Sequence, residues 1–346
     1  MLFRSGLNAV IRAVVKSASN HGCECIGIEE SFDGLLLPDR ARVLTPSDVT
    51  SILRQGGTIL GTSSRGDPFA ATASRDARAS SAQAVDRFHE LGLDALVAVG
   101  GDGTLAIAYD FYQQGVPLVG VPKTIDNDIV GTSSTFGFDT AVSFATEAID
   151  RLHYTAAAHQ RLMVVEVMGR TAGWIALHAG VAGGADVILI PEIPYDLERV
   201  AESVAARERL GARFSIIVVA EGAAPRGGAV TMVEPAKDGR LARLGGLGAL
   251  VAAALEELTG KEARSVRLGH LLRGGSPSSH DRVLATRFGG KAVELVRAGE
   301  FGRMVAYRPP DIVAVPLDEV VGRTKQVPLD LDLIRTARAI GVTFGD

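Results

Sequence analysis

The sequence predicts an α/β protein made of two doubly wound, mostly parallel-sheet lobes. Short apolar runs that end in glycine turns recur along the chain, and helical patterns follow them. Such alternation is typical of parallel strands with helices on both faces of the sheet. A chain of 346 residues, of which 47% are hydrophobic, is long enough to give each of two lobes its own core.

One strand–turn–helix unit dominates the first half of the chain. An apolar run at 95–99 is short enough to be a buried strand, the turn GGDGT (100–104) follows it, and a helical pattern continues to about Gln114. Glycines at such a turn let the backbone approach a bulky anion, and the N-terminus of the helix presents unpaired N–H groups to it. The unit therefore predicts a phosphate site.

A second predicted strand ends shortly afterwards. Apolar residues 117–121 lead into PKTIDND (122–128), and ligands of open parallel sheets bind at the edge where such strands end. We expect the carboxylates of Asp102, Asp126 and Asp128 to converge on one bound anion, with Mg²⁺ offsetting their repulsion of it. Asp also caps helices and turns, and for either loop alone that structural interpretation is as good. The two loops together favour phosphoryl transfer.

The other elements are predicted from apolar spacing, flanking glycines and helix stops. The predicted helices cover 6–21, 75–91, 134–154, 281–297 and 329–340. The predicted strands cover 23–29, 161–167, 187–190, 214–220 and 266–268, with strand pieces of a hairpin at 304–315. The chain thus opens on a helix, which is uncommon in an α/β protein because a first strand normally precedes the first helix.

Composition argues against several classes of function. The formal net charge of −4 gives no general attraction to nucleic acid or to an anionic membrane. The sequence has no apolar stretch of membrane-spanning length, and Met1–Ser5 are too short and polar for a signal peptide. We therefore expect a cytoplasmic protein that binds phosphate through local clusters of Arg and Lys.

Polar residues of a common character lie at or beside the later predicted strand ends. They are Arg161, Arg170, Glu221, Arg264, His270 and Arg273. Singly, such residues are mostly surface charges or core histidines. Together they supply arginines for a phosphate and a carboxylate for hydroxyl groups, as a phosphorylated sugar requires. Arg65, in a second glycine turn, is a further candidate phosphate contact, although the same turn is equally typical of a plain surface loop.

Six segments resemble those of the 6-phosphofructokinases in amino-acid sequence, order and spacing. The resemblance covers nearly all of the chain from Gly6. They are GGDGT (100–104), PKTIDND (122–128), TFGFDTA (135–141), HQRLMVVEVMGR (159–170), AEGA (220–223) and LGHLLRGGSPSSHDR (268–282). GGDGT alone is also similar to NAD kinases and diacylglycerol kinases, but PKTIDND and MGR separate the chain from both. TFGFDTA and PKTIDND look closest to the branch of the family that contains both ATP- and pyrophosphate-dependent members.

The resemblance implies catalytic and donor-binding roles. Asp126 would be the general base toward the 1-hydroxyl of fructose 6-phosphate, Thr124 would contact the transferred phosphoryl group, and Arg170 would neutralise the charge that develops there. Asp102 and Asp128 would hold or orient Mg²⁺ on the donor phosphates. The donor-binding residues would be Arg65, Gly101, Asp102, Gly103, Thr104 and Lys123.

The resemblance also implies how the sugar phosphate is bound. The residues for it would be Thr124, Asp126, Arg161, Met168, Gly169, Arg170, Glu221, Arg264, His270 and Arg273. Among them, Glu221 would bind hydroxyl groups, and His270 and Arg273 would bind the 6-phosphate. Arg161 and Arg264 would reach the site of a neighbouring subunit, so a homodimer or homotetramer is expected. The donor lobe would comprise 1–137 and 272–322 and the sugar-phosphate lobe 138–271 and 323–346, with the active site in the cleft between them.

The start of the chain departs from the family pattern. The family normally begins with a strand and a Gly-Gly-Asp-x-Pro-Gly turn, and Met1–Ser5 stand where that turn belongs. We expect either a true start further upstream or a poorly stable and weakly active form. A non-catalytic member that binds sugar phosphate is the corresponding alternative.

Two residues indicate different phosphoryl donors. Gly103 leaves room for the α-phosphate of ATP, where pyrophosphate enzymes of the family usually carry Asp. Lys123 stands where pyrophosphate enzymes carry lysine and typical ATP enzymes carry glycine. A clash is harder to overcome than a missing attraction, so ATP is the predicted donor and pyrophosphate the alternative.

Overall fold

The structure, a computed structural model, describes residues 6–37, 39–62, 75–234 and 243–346. The described residues cluster into two compact units. Unit 1 is drawn from Met1–Thr124, Ile129–Thr140 and Arg273–Arg323, and unit 2 from Ile125–Asp128, Ala141–Leu272 and Thr324–Asp346.

Helices and strands alternate through most of the chain. The helices are α1 (Leu7–Asn20), α2 (Arg75–Glu90), α3 (Asp102–Gln113), α4 (Phe138–His159), α5 (Trp174–Ala182), α6 (Leu197–Arg209), α7 (Leu247–Thr259), α8 (Ser279–Ala298) and α9 (Asp332–Ala339). The strands are β1 (Cys25–Ile28), β2 (Ala41–Leu44), β3 (Leu96–Gly100), β4 (Leu118–Thr124), β5 (Phe136–Gly137), β6 (Leu162–Val167), β7 (Val187–Leu189), β8 (Ser215–Ala220), β9 (Met232–Glu234), β10 (Arg243–Leu244), β11 (Ala263–Arg267), β12 (Arg303–Arg308) and β13 (Asp311–Pro316). Among the described residues, none of these helices combines the length and the apolar character needed to cross a membrane.

The sheet of unit 1 has the order β13–β12–β4–β3, and β5 pairs with the end of β4. All pairings are parallel except that of β12 with β13. Alternate residues of a strand face opposite sides of a sheet. Leu118 therefore shares a buried cluster with Phe111 of α3, whereas Val119 shares another with Phe288 of α8. Helices cover both faces, and the carboxyl ends of β3 and β4 lie at one edge.

The sheet of unit 2 has the order β11–β6–β8–β7 and is entirely parallel. Every residue of β6 and β8 is buried, as expected of parallel strands with both faces covered. Val164 and Ile217 share a cluster with Val251 of α7 and Val200 of α6, and α5 packs on β7 and β8. Because all its strands are parallel, the turns that follow these strands lie at one edge of the sheet.

The predicted α/β class with mostly parallel sheets is confirmed, while some element bounds differ. β4 continues to Thr124 instead of ending at Val121, because its last residues pair with β5. The same pairing delays the start of α4 to Phe138. The strand predicted at 23–29 is β1, which pairs with β2 in a separate antiparallel sheet. Each difference depends on a pairing partner that local apolar spacing does not reveal.

A buried carboxylate ties the first residues of α4, up to Thr140, to α8 within unit 1. The Oδ2 atom of Asp281 accepts hydrogen bonds from the N–H of Thr140, at 2.9 Å, and from the hydroxyl of Thr140. Ser278, the N-cap of α8, donates to Asp139 Oδ2 at 2.5 Å. Burial raises the pKa of Asp281 above its ordinary value, and the hydrogen bonds from Thr140 act in the opposite direction. The segments TFGFDTA and SSHDR thus meet in a helix-capping network.

The helices α1 and α8 approach each other closely at Gly289. A Cβ atom built on Gly289 would lie 2.7 Å from Ala13 Cβ and 2.8 Å from Val10 O, both on α1. Any side chain at this position therefore forces one of the two helices to shift. Gly290, the next residue of α8, differs because a Cβ atom there would meet no heavy atom within 4 Å.

We predict that Gly289→Ala lowers the free energy of unfolding by about 1–3 kcal/mol, because overpacking separates α1 from α8. Gly290→Ala is the matched control and should raise the same free energy by about 1 kcal/mol, since alanine has the higher helix propensity. Urea denaturation followed by circular dichroism measures both. Equal effects of the two substitutions would contradict the close packing at Gly289.

Candidate active site

The turn after β3 is shaped for close approach to an anion. A Cβ atom on Gly100 would lie 2.3 Å from Thr104 Cβ, so this position requires glycine. Gly101 is the N-cap of α3 and, as a glycine, has no side chain that could cap the helix. The N–H of Gly103 donates to Asp102 Oδ1 at 2.7 Å, and both residues are exposed. The positive end of α3 is therefore accessible to a negatively charged group.

Gly103 and Lys123, which indicate different donors, both lie in unit 1. A Cβ atom built on Gly103 meets no heavy atom within 4 Å, so the space beside it is open. The Lys123 side chain is buried, and its backbone carbonyl lies 3.6 Å from the Cβ position of Gly101. Thr135 Oγ1 donates to Thr124 O at 2.9 Å. These contacts fix the end of β4 beside the GGDGT turn.

The loop Ile125–Asp128, which follows β4, belongs to unit 2. Asn127 is buried and has φ of +52°, in the left-handed region that non-glycine residues seldom adopt. Lys325 Nζ donates to Asn127 Oδ1 at 2.9 Å, and the N–H of Lys325 donates to Asp128 O at 2.7 Å. Asp126 and Asp128, on either side of Asn127, are half-buried. Their backbone positions are thus fixed by the residue between them and by Lys325.

Burial perturbs the titration of two basic groups of unit 2, Lys325 beside this loop and His178. Desolvation lowers the pKa of Lys325 to about 8, although the Asp128 carboxylate acts in the opposite direction. Desolvation, and then the charge of Lys325, also lower the pKa of His178. Partial burial is the main cause of both shifts, since Lys325 is half-buried.

The segment MGR after β6 is held by the turn after β8. The N–H of Glu221 donates to Val167 O at 3.0 Å, and the N–H of Gly222 donates to Gly169 O at 3.0 Å. A Cβ atom on Gly222 would lie 1.9 Å from Arg170 O, so only glycine allows this approach. The two turns pack backbone against backbone, which fixes Arg170 relative to Glu221.

The carboxyl ends of β6, β8 and β11 lie at one edge of unit 2, because the three strands are parallel. Arg170 and Glu221 follow β6 and β8 and are half-buried, and Met168 is buried. His270 is exposed in the 3₁₀ turn Gly269–Arg273 after β11. Arg273 ends that turn but clusters with unit 1. The structure therefore brings Arg170, Glu221 and His270 to a common edge.

Glu166 and Arg267 are site-supporting residues that the sequence reasoning missed. Glu166 is 2% exposed, and its carboxylate accepts hydrogen bonds from the N–H groups of Gly246, at 3.1 Å, and Gly248, at 2.8 Å. Arg267 Nε lies 3.0 Å from Glu166 Oε1, and Arg267 Nη2 lies 3.9 Å from Glu221 Oε2. Glu166 thus caps α7 and anchors the arginine beside Glu221. The available signal was a charged residue within the otherwise apolar strand LMVVEV.

Arg161 and Arg264 lie at the amino edge of the unit 2 sheet, not at the carboxyl edge where the other predicted residues gather. Arg161 precedes β6, and Arg264 is the second residue of β11. Arg161 Nη2 lies 3.2 Å from Glu262 Oε2, and Arg264 forms an ion pair with the same carboxylate. A strand as long as β6 spans roughly 20 Å. One chain therefore does not bring these two arginines to Met168.

The structure also bears on the expected metal site. Asp102 belongs to unit 1, whereas Asp126 and Asp128 belong to unit 2. Across the residues that are described, no three His, Cys, Asp or Glu side chains are grouped so that they could hold a metal ion. Mg²⁺ in phosphoryl-transfer sites is usually held by one or two carboxylates together with substrate phosphates. Within unit 2, Asp126 and Asp128 are carboxylates of the kind that Mg²⁺ binds together with substrate phosphates. Arg65 lies outside the described residues.

A glycine turn at a helix N-terminus, with carboxylates and arginines after parallel strands, defines a phosphate-handling α/β enzyme. The model of the phosphofructokinase family matches residues 4–296, and the chain belongs to this family.

Relatives within the family include proteins named as ATP-dependent enzymes and a protein named as a pyrophosphate enzyme. The chain is 56% identical over 343 residues to the ATP-dependent 6-phosphofructokinase of Chloroflexus aurantiacus, covering 99% of this chain and 94% of that protein. It is 53% identical over 327 residues to the pyrophosphate–fructose 6-phosphate 1-phosphotransferase of Amycolatopsis methanolica, covering 93% of each. Among solved structures, phosphofructokinase from Saccharomyces cerevisiae is 33% identical with a TM-score of 0.80, covering 92% of this chain and 44% of that chain.

We predict that Glu166→Gln lowers the free energy of unfolding by about 1–3 kcal/mol, because it weakens the cap of α7 and leaves Arg267 without its buried counterion. Glu262→Gln, in the same unit, is the matched control. Its side chain is 40% exposed, so its ion pairs should contribute only about 0–1 kcal/mol. Guanidinium denaturation measures both, and a Glu262→Gln effect as large as that of Glu166→Gln would contradict the assignment.

Proposed function

We propose that the chain is a 6-phosphofructokinase, which transfers the γ-phosphoryl group of ATP to the 1-hydroxyl of fructose 6-phosphate and gives fructose 1,6-bisphosphate in glycolysis. The observation that carries the proposal is the 56% identity, over 99% of the chain, to a relative named an ATP-dependent 6-phosphofructokinase. The GGDGT and PKTIDND turns after β3 and β4 support it. Purified protein supplied with fructose 6-phosphate and ATP, and separately with pyrophosphate, tests it through the formation of fructose 1,6-bisphosphate.

The donor phosphates would bind at the N-terminus of α3. Backbone N–H groups around Gly101 and Gly103 would hold phosphate oxygens, with Thr104 beside them and the Lys123 ammonium adding charge. Arg65 is part of this proposed set. Asp102 and Asp128 would hold Mg²⁺, which supplies charge neutralisation to the donor phosphates when it is bound. These residues act by alignment and electrostatics, as phosphoryl transfer requires.

The acceptor would be aligned mostly by residues of unit 2, which also contains the proposed base. Asp126 would accept the proton of the 1-hydroxyl while that oxygen attacks the γ-phosphorus, with Thr124 at the transferred group. The bond from the γ-phosphorus to the β,γ-bridging oxygen would break in the same step and release ADP. Arg170 would neutralise charge on the phosphoryl oxygens. Met168 and Gly169 would shape the sugar pocket, Glu221 would accept hydrogen bonds from sugar hydroxyls, and His270 and Arg273 would bind the 6-phosphate. The contacts among MGR, Glu221 and Arg267 support this part of the proposal.

We also propose a homodimer or homotetramer in which Arg161 and Arg264 bind the 6-phosphate at a neighbouring subunit. Their position at the amino edge of the unit 2 sheet supports this, because the other sugar-binding residues follow the carboxyl ends of the same strands. ATP and fructose 6-phosphate are cytoplasmic metabolites, so the proposed reaction implies a cytoplasmic location, without nucleic acid or membrane as a partner.

Pyrophosphate is the second candidate donor. Lys123 and the 53% identity to the Amycolatopsis methanolica pyrophosphate enzyme favour it. The open space beside Gly103 favours ATP, since the α-phosphate and the nucleoside need room beyond the β-phosphate.

We predict that Asp126→Ala lowers kcat by about 10²–10⁴-fold, because the general base is lost, while the KM for fructose 6-phosphate changes by only a few-fold. Asp332→Ala is the matched control, since its side chain is 85% exposed at the start of α9 and should leave both constants unchanged. Steady-state kinetics with ATP measures both variants. Near-normal turnover of Asp126→Ala would remove this residue from catalysis.

We predict that Gly103→Asp lowers kcat/KM for ATP by more than about 10²-fold, a loss of about 2.7 kcal/mol of transition-state binding, because its carboxylate repels the α-phosphate. Gly103→Ser adds a side chain without charge and should cost less. Lys123→Gly should reduce any activity with pyrophosphate more than activity with ATP. If the unaltered protein uses pyrophosphate at least about tenfold better than ATP, a gap of about 1.4 kcal/mol, the choice of ATP is wrong.

A further inference from the structure

A single residue, Lys325, holds the Ile125–Asp128 loop at two adjacent positions. Its Nζ atom donates to Asn127 Oδ1 at 2.9 Å, and its backbone N–H donates to Asp128 O at 2.7 Å. Lys325 and Asn127 are 198 positions apart in sequence. The final segment of the chain therefore restrains the loop that carries Asp126.

Lys325 is itself fixed by α5 and the turn before it. Trp174 Nε1 donates to Lys325 O at 2.9 Å, and Lys325 Nζ lies 5.3 Å from the centroid of the Trp174 ring, as in a cation–π contact. Two residues further on, the N–H of Val327 donates to Glu192 Oε1 at 2.8 Å. The same carboxylate accepts from the N–H of Gly173 at 3.0 Å. The lysine is thus a rigid support for the loop.

The loop turns sharply at Asn127. This residue has φ of +52° and is 3% exposed. Asn adopts the left-handed region more readily than other non-glycine residues, and the contacts with Lys325 hold the loop in this conformation. Because Asp126 and Asp128 are the neighbours of Asn127, the backbone angle of Asn127 sets the relative directions of the two carboxylates.

We propose that Lys325 is a positioning residue, which acts through Asn127 to hold Asp126 in the geometry that proton transfer requires. The proposal rests on the proposed function, because it assumes that Asp126 is the general base. Displacement of a reacting group by about 1 Å can reduce a rate by about 10²-fold. Loss of the Nζ contact should therefore affect turnover more than substrate binding.

The kinetic test compares Lys325→Met, Asn127→Gly and the double variant. Methionine removes the ammonium and keeps the backbone N–H, and glycine removes the amide and still allows the positive φ. Lys325→Met should lower kcat about 10²-fold with the KM for fructose 6-phosphate within about threefold. The double variant should be no more than about threefold slower than the slower single variant, since both remove one contact. Lys261→Met is the control, because Lys261 Nζ binds Arg213 O at 3.0 Å in the same unit, away from this loop.

Three kinetic results would overturn the proposal. A kcat of Lys325→Met equal to that of Lys261→Met would show that the loop is held without the ammonium. Multiplication of the two single effects in the double variant would show that Lys325 acts independently of Asn127. A raised KM with unchanged kcat would make Lys325 a substrate-binding residue instead.

Hydrogen–deuterium exchange supplies a readout that does not need activity. In Lys325→Met, amides of a peptide covering 120–130 should exchange faster than in the unaltered protein, while peptides from β6 and β8 stay unchanged. Unchanged exchange at 120–130 would refute the anchoring role. If Lys325→Met exchanges faster at 120–130 while the unaltered protein forms no fructose 1,6-bisphosphate with either donor, the anchoring role of Lys325 is supported and the proposed function is refuted.

Discussion

Parallel strand pairing is the constraint on which the rest of the structure depends. Parallel strands cannot be joined by a tight turn, so connections cross the sheet and the carboxyl ends collect at one edge. Asp102 follows β3, Arg170 follows β6, and Glu221 follows β8. Within each unit, spacings between such residues are therefore set by the strand separation of about 4.8 Å rather than by distance in sequence. Functional groups that must act together can therefore come from short turns that are far apart in the sequence.

Apolar runs and glycine turns predicted those strands and turns whose conformation depends on neighbouring residues in the sequence. Apolar runs flanked by glycine located β3, β6 and β8 to within about a residue, and the sequence GGDGT predicted an exposed helix N-terminus. The end of β4 was less predictable, because Lys123 and Thr124 become strand residues only by pairing with β5. Polar sequences such as PKT carry little strand propensity of their own, so the register of a remote partner decides their conformation.

Charged side chains with distant partners were the main feature that sequence patterns could not predict. Glu166 and Asp281 are buried and accept hydrogen bonds from residues that are respectively 82 and 141 positions away, and the half-buried Lys325 donates to a residue 198 positions away. A charged residue within an apolar stretch signals that a partner exists, since isolated buried charges are unstable, but does not identify it. The same limit applied to Arg161 and Arg264. Their residue type indicated phosphate binding, whereas their place at the amino ends of strands became clear only from the sheet.

Glu262 gives the arginines at the amino edge of unit 2 an anionic partner within their own chain. Arg161 and Arg264 both contact its carboxylate. An anion that binds both guanidinium groups would compete with that carboxylate for their N–H donors, so its binding would in part be an exchange of ion pairs. The affinity for an anion depends less on ionic strength when the anion replaces a carboxylate than when it binds arginines that have no ion-pair partner. The exchange also selects for charge and shape, because a phosphate monoester offers more charge and more acceptor oxygens than a carboxylate, whereas chloride or acetate gains nothing by the exchange.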